Sequence, residues 1–192
     1  MHNLWNRVAP LTLAALTLPG LIVAQSSNRS PVSIEVRGGI NVPTFDIADV
    51  ADPGPSFGVG IEIPVAERLS IMADADFGFH SGADLPAGGS GPDVDVYHYI
   101  AKLAYEVISP ERGRWSLRIN AGAGAMTFKI DGVSGSFTYP AINVGAKLGY
   151  NVSENLNLFL SPQGDIAFSD ENEIGTNNAW VWPFAVGAAV RF

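Results

Sequence analysis

The fourteen residues Ala179-Trp180-Val181-Trp182-Pro183-Phe184-Ala185-Val186-Gly187-Ala188-Ala189-Val190-Arg191-Phe192 decide the fold. Every second position is apolar: Trp180, Trp182, Phe184, Val186, Ala188, Val190 and Phe192. Ala185, Gly187, Ala189 and Arg191, which lie between them, are small or polar. A period of two means a strand with two unlike faces. Aromatics gather where the apolar face begins, and one closes it. Such a stripe suits a strand crossing a bilayer, with rings at both headgroup levels and aliphatic residues between. It also suits a half-buried strand of a soluble sheet. A strand in lipid must belong to a closed barrel, because an open edge leaves backbone groups without partners.

Working outward, the same alternation recurs seven more times. Val32, Ile34, Val36 and Ile40 oppose Ser33, Glu35, Arg37 and Gly39. Phe57, Val59, Ile61 and Ile63 oppose Ser56, Gly58, Gly60 and Glu62. A third strand sets Leu69 to Phe79 against Ser70, Met72, Asp74, Asp76 and Gly78; a fourth sets Tyr97 to Tyr105 against His98, Ile100, Lys102, Ala104 and Glu106. The fifth begins at Trp115, with Arg118 and Asn120 on its polar face. The sixth carries Ile142 to Tyr150 against Asn143 and Lys147. Its start, Phe137 to Pro140, falls out of phase and predicts a bulge near Pro140. In the seventh, Leu156, Leu158 and Leu160 oppose Asn157, Ser161, Gln163 and Asp165, and Phe159 breaks the pattern. No helical stretch is expected between strands. Connections alternate long and short, the third long one contracting to Asp131–Gly135. Short turns at one end and longer loops at the other are the layout of an outer-membrane barrel.

Ahead of this pattern, Arg7 and the apolar run Val8 to Val23 read as a cleaved signal peptide, residues 1–24, with Ala24 last before the cut. Residues 25–30 form a short polar lead, and 31–192 form the barrel domain. No other apolar run is long enough for a helical span, which needs about 18 residues or more. There is no Cys, hence no disulfide and no lipid-attachment thiol. Charged residues are 16% of the chain, against about 25% in ordinary soluble domains. The formal net charge is −8, and loss of Arg7 with the leader leaves ten bases against nineteen acids. That balance disfavours nucleic acid as a partner.

The choice between a soluble barrel with an apolar interior and a membrane barrel turns on the second face. That face is rich in Gly, Ser, Ala and Asn, with a charge every few residues. A soluble exterior would carry many more. Small residues suit the narrow interior of eight strands, which side chains fill. Aromatics near strand ends, among them Phe57, Phe77, Tyr97, Tyr105, Trp115, Tyr150, Phe168 and Phe192, suggest two girdles. The expected fold is therefore all-β: an eight-stranded antiparallel up-and-down transmembrane β-barrel.

With its leader, eight alternating strands and aromatic last strand, the chain resembles the small outer-membrane β-barrels of the OmpA transmembrane-domain, OmpX and opacity-protein type. The resemblance covers nearly all of the mature chain and rests on pattern rather than a rigid motif. It implies the outer membrane of a Gram-negative-type bacterium, with surrounding lipid and lipopolysaccharide as partners. It also implies that Phe192 is the assembly signal read by the barrel-assembly machinery. Because the chain stops there, the peptidoglycan-binding domain that follows some such barrels is expected to be absent.

The inward face should collect Glu35, Arg37, Glu62, Asp74, Asp76, His98, Lys102, Glu106, Arg118, Lys147, Asp165 and Arg191. Buried charges of both signs predict a salt-bridged plug, and a small solute pore or gate is the alternative. A lipid-modifying enzyme is a third reading, since some barrels of this membrane place Ser and His at the outer rim. His80 and Ser81 sit near such a rim, but neighbours in a strand point to opposite faces, so no nucleophile–base pair is expected. The chain reads as a non-enzyme with a structural or cell-surface interaction role. No cofactor is expected: His and Cys clusters, a phosphate-binding Gly loop and a basic patch are all missing from the sequence. The loop end gathers Asp46, Asp49, Asp52, Asp84, Asp93, Asp95, Asp131, Asp170, Glu171 and Glu173, with Lys129 the one nearby base. This acidity keeps a surface soluble or holds Ca²⁺ or Mg²⁺ weakly.

Overall fold

The computed structural model describes residues 32–84, 88–109 and 114–192. The signal peptide, the polar lead and Pro31 lie outside them. Eight strands follow in order: β1 Ser33–Thr44, β2 Gly54–Ala66, β3 Leu69–His80, β4 Val94–Ile108, β5 Trp115–Ile130, β6 Phe137–Asn151, β7 Leu156–Ala167 and β8 Ala179–Arg191. Each pairs antiparallel with its sequence neighbours, and β1 pairs with β8 to close the barrel. Closure leaves no free edge, which lipid demands. The wide connections, 45–53, 81–93, 131–136 and 168–178, share one end. The turns 67–68 and 152–155 share the other, with Ile108, Trp115 and both chain ends of the barrel beside them.

The faces separate as the alternation requires. Val36, Val59, Leu103, Ile119, Val144, Leu160 and Val186 are exposed on the outer wall. Glu35, Glu62, Asp74, Lys102, Asn143, Lys147 and Asp165 are buried inside it. This phase is the reverse of a soluble barrel's. Outer aromatics form two belts. Phe57, Phe77, Tyr97 and Tyr99 pack ring against ring across β2, β3 and β4 near the loop end. Trp115 and Tyr150 meet near the turn end, with centroids 4.9 Å apart.

Two expectations need correction. There is no bulge at Pro140: β5 and β6 stay in register from Trp115/Tyr150 to Phe128/Phe137. Tyr139 and Ala141 point inward in phase with Asn143, so the apparent slip was apolar residues on the inner face. The irregular registers lie instead between Pro64 and Ala66 and between Glu106 and Ile108, both at the turn end. Two short helical pieces do occur between strands: a 3-10 turn, Phe45–Asp49, and a four-residue helix, α1, Glu171–Ile174. Asp170 caps α1, its side chain accepting from the Asn172 N–H, and Gly175 ends it with φ of 76°. Phe159, the apolar exception on the polar phase of β7, faces inward with Asn157 and Ser161 and is buried.

The interior is polar over only part of its height. Toward the loop end it becomes an apolar core of Val94, Val96, Ile100, Met126, Phe128, Tyr139 and Val181, capped by Ile47 and Ile174 from the loops. Hydrogen bonds between loops hold this cap. Asp52 N–H donates to Ser81 O and Ala83 N–H to Val50 O. Tyr139 donates its hydroxyl to Glu173 at 2.6 Å.

Candidate functional site: a charged interior closed by its own ion pairs

Below the apolar cap, side chains from seven of the eight strands, β1 to β7, interlock. Arg37 on β1 reaches β3. Its Nε and Nη2 donate to the two oxygens of Asp76 at 2.7 and 2.6 Å, a bidentate fork. Its Nη1 donates to Asp74 at 3.2 Å. Asp74 also holds Lys102 of β4, at 2.8 Å. Lys147 of β6 donates to Glu35 of β1 at 2.5 Å and lies 3.9 Å from Glu62 of β2. Arg118 of β5 bridges Glu62 at 3.4 Å and Glu106 at 3.3 Å. Glu35 and Arg37 approach to 3.5 Å, which joins the two halves into one chain of alternating sign.

Nearer the cap, His98 Nδ1–H donates to Asp165 at 2.7 Å, and Asn143 donates to the other Asp165 oxygen at 2.5 Å. Asn41 approaches His98 Nε2 at 3.5 Å. Of the twelve expected interior groups, eleven are thus brought together. Arg191 stays apart at the turn end, half-buried and without an ion pair among the described residues.

Neutral partners that charge-counting overlooked complete the packing. Gln163 accepts from Lys102 at 3.1 Å and from Asn143 at 3.2 Å. Its Nε2 donates to the Ala146 carbonyl, beside Pro162, which has no N–H to offer β6. Phe159 lies under Lys147, with the ammonium 4.9 Å from the ring centroid, a cation–π contact in a dry setting. The signal for both was present: polar or aromatic residues at odd positions of β7. The inner face also needs absences. A Cβ on Gly58 or Gly60 would collide with the Asp76 or Asp74 carboxylate, and one on Gly187 with the Phe159 ring.

The interlock leaves little space. The gap beside Arg37, Asp76, Lys102 and Gln163 is about 10 Å³, and so is the one beside Glu62 and Arg118 at the turn end. Each holds about one water. At the rim, His80 is buried and its Nδ1 bonds the Asp52 carbonyl at 2.8 Å, while Ser81 is exposed; the two do not pair. The loop acids are spread and partly engaged, Glu173 by Tyr139 and Glu171 by Asn177. Among the described residues, no three carboxylates or imidazoles converge on a metal-sized site.

An outward apolar wall, two aromatic belts and a charge-filled interior define an eight-stranded transmembrane β-barrel. The chain belongs to the outer membrane protein beta-barrel domain family, whose model matches residues 13–192. No curated protein sequence matches it. Among solved structures it is similar to Neisserial surface protein A, with 13% identity over 84% of this chain and 97% of that one, at a TM-score of 0.66. It is similar to OprG of Pseudomonas aeruginosa, with 13% identity over 85% and 97% of the two chains and a TM-score of 0.62. Ail, the attachment invasion locus protein of Yersinia pestis, crystallised with the heparin analogue sucrose octasulfate, shares 16% identity over 85% and 99%, with a TM-score of 0.57. At such identities the likeness is one of fold.

Proposed function

We propose that this outer-membrane barrel has a structural or cell-surface interaction role, that it is neither an open pore nor an enzyme, and that it acts through its loop end. The carrying observation is the interior. Six carboxylates are held there by four cations and His98, and the remaining gaps hold about one water each. Opening a path would part several buried ion pairs at once. Breaking even one such pair costs about 3–5 kcal/mol. The charged groups therefore serve as a plug.

Residues 1–24 serve as a cleaved leader for export to the outer membrane of a Gram-negative-type bacterium. Phe192 serves as the signal for the barrel-assembly machinery, and the outer wall meets lipid and lipopolysaccharide. The surface role differs from the one Ail's crystal partner suggests. Sucrose octasulfate is a polyanion, whereas the loop end here carries ten acids with Lys129 as the nearby base. Like charge repels a polyanion and favours neutral or cationic partners.

Recording in planar bilayers tests the plug. The expected result is no steady conductance from the purified full-length barrel. A steady open channel whose conductance changes on Lys102→Gln would overturn the proposal and favour the pore.

A further inference from the structure

One cavity in the molecule is much larger than the gaps of the plug. It lies at the loop end, above the apolar core, with a volume of about 140 Å³. Ile47 and Val50 of the first loop, Val94 of β4, Phe128 and Ile130 of β5 and Ile174 of α1 line it. Ala83 and Gly91 line it too, and their small size is what leaves the space. Asp49 and Pro92, both exposed, mark its opening to the outside. The walls are preformed. The Ala83 N–H to Val50 O bond and the Ala51–Gly82 bridge tie the first two loops together, and the Gly91 N–H to Ala83 O bond closes the second on itself.

An apolar cavity of this size cannot hold water well, because water there lacks the two to four polar partners it needs. An apolar protein cavity of about 150 Å³ stays dry and takes benzene. The match in volume and lining sets the size and polarity of an occupant. The rim sets its charge: Asp49 opens the site, and Asp93 follows Pro92 in the chain. A carboxylate entering there would lose its hydration without gaining a cation. We propose that this pocket binds a small uncharged apolar molecule of monoaromatic size, taken from the external side, and rejects its anionic counterparts. The site is separate from the plug below it, so the barrel holds such a ligand at its mouth without conducting it.

Methyl NMR of the full-length barrel in lipid nanodiscs, with the isoleucine δ1 methyls labelled, tests this with toluene as probe. Lipid-facing Ile34, Ile61 and Ile119 report partitioning of toluene into the bilayer. Ile47, Ile130 and Ile174 report the pocket. The expected result is saturable shifts at the three pocket methyls, against small, linear shifts at the lipid-facing ones. Benzoate at equal concentration should give no saturable pocket shift. Ala83→Phe, which fills the cavity, should abolish the saturable response and leave the lipid-facing shifts unchanged. Shifts that are linear at all six methyls, or saturation by benzoate as readily as by toluene, would overturn the proposal on the wild-type protein alone. Persistence of saturation in folded Ala83→Phe would equally overturn it.

Discussion

Arg37 is the residue on which most of the plug converges. It meets Asp76 through a fork and Asp74 and Glu35 through single contacts, and it is nearly buried. Replacing it by Met leaves three carboxylates facing one another with Lys102 and Lys147 as the remaining cations nearby. We expect Arg37→Met to lower stability by about 3–5 kcal/mol, the usual result of orphaning a buried charge. Urea unfolding of barrels folded into phospholipid vesicles measures it. The double variant Arg37→Met, Asp76→Asn should recover a large part of the loss, because the paired carboxylate is neutralised as well. Equal stability of Arg37→Met and wild type would mean that the guanidinium is solvated rather than interlocked. The identity of these charges could be read from one sequence, since each sits on the polar phase of its strand. Their partners could not. Glu35 meets Lys147 from 112 positions away, and alternation carries no information about which strands face each other across a lumen.

Along a single strand, depth decides what a substitution does. Thr138 and Val144 both lie on the outer face of β6, Thr138 next to the loop end and Val144 near mid-strand. A basic side chain at mid-bilayer costs about 2–4 kcal/mol, but near the interface only about 0–1. Val144→Arg should therefore lower folding into vesicles by that larger amount, and Thr138→Arg should change it little. Similar losses at both positions would contradict the membrane placement of the strand. The same strand also shows where pattern reading failed. Phe137 to Pro140 reads as out of phase because the strand puts an aromatic residue, Tyr139, on its inner face at that height. In fact the strand is regular there, and the interior changes character. At the loop end the barrel is capped by Ile47 and Ile174, which exclude water, so apolar residues belong on the inside at that height. Phe159 departs from the alternation for its own reason: its ring lies beneath the Lys147 ammonium on the inner face.

For the whole molecule, closure is the deciding event. β1 pairs with β8 from Ser33/Arg191 to Thr44/Trp180, and the Phe192 N–H bonds the Val32 carbonyl beyond the last pair. Phe192 itself is about half exposed on the outer wall. If Phe192 is the signal read by the assembly machinery, its deletion should lower the amount of heat-modifiable barrel in outer-membrane fractions several-fold. Spontaneous folding of the same variant into detergent micelles should change little, since one terminal hydrogen bond is worth about 0.5–1.5 kcal/mol. Equal losses in cells and in micelles would assign Phe192 a role in stability instead.

The sequence by itself determined the strand count, the up-and-down order, the two faces and the side that meets lipid. These follow from local alternation, from loop lengths and from the scarcity of charge, all of which are written within a few residues of one another. Tertiary structure alone decided three things. It showed that eleven of the twelve interior ionisable groups interlock while Arg191 stays out. It showed that the charged interior ends beneath an apolar cap, and that loops distant in the chain line an apolar pocket there. The physical reason is that facing and enclosure are properties of the closed barrel. Strand twist, tilt and loop folding bring residues such as Ile47, Phe128 and Ile174 together, and no periodicity within a strand encodes that meeting.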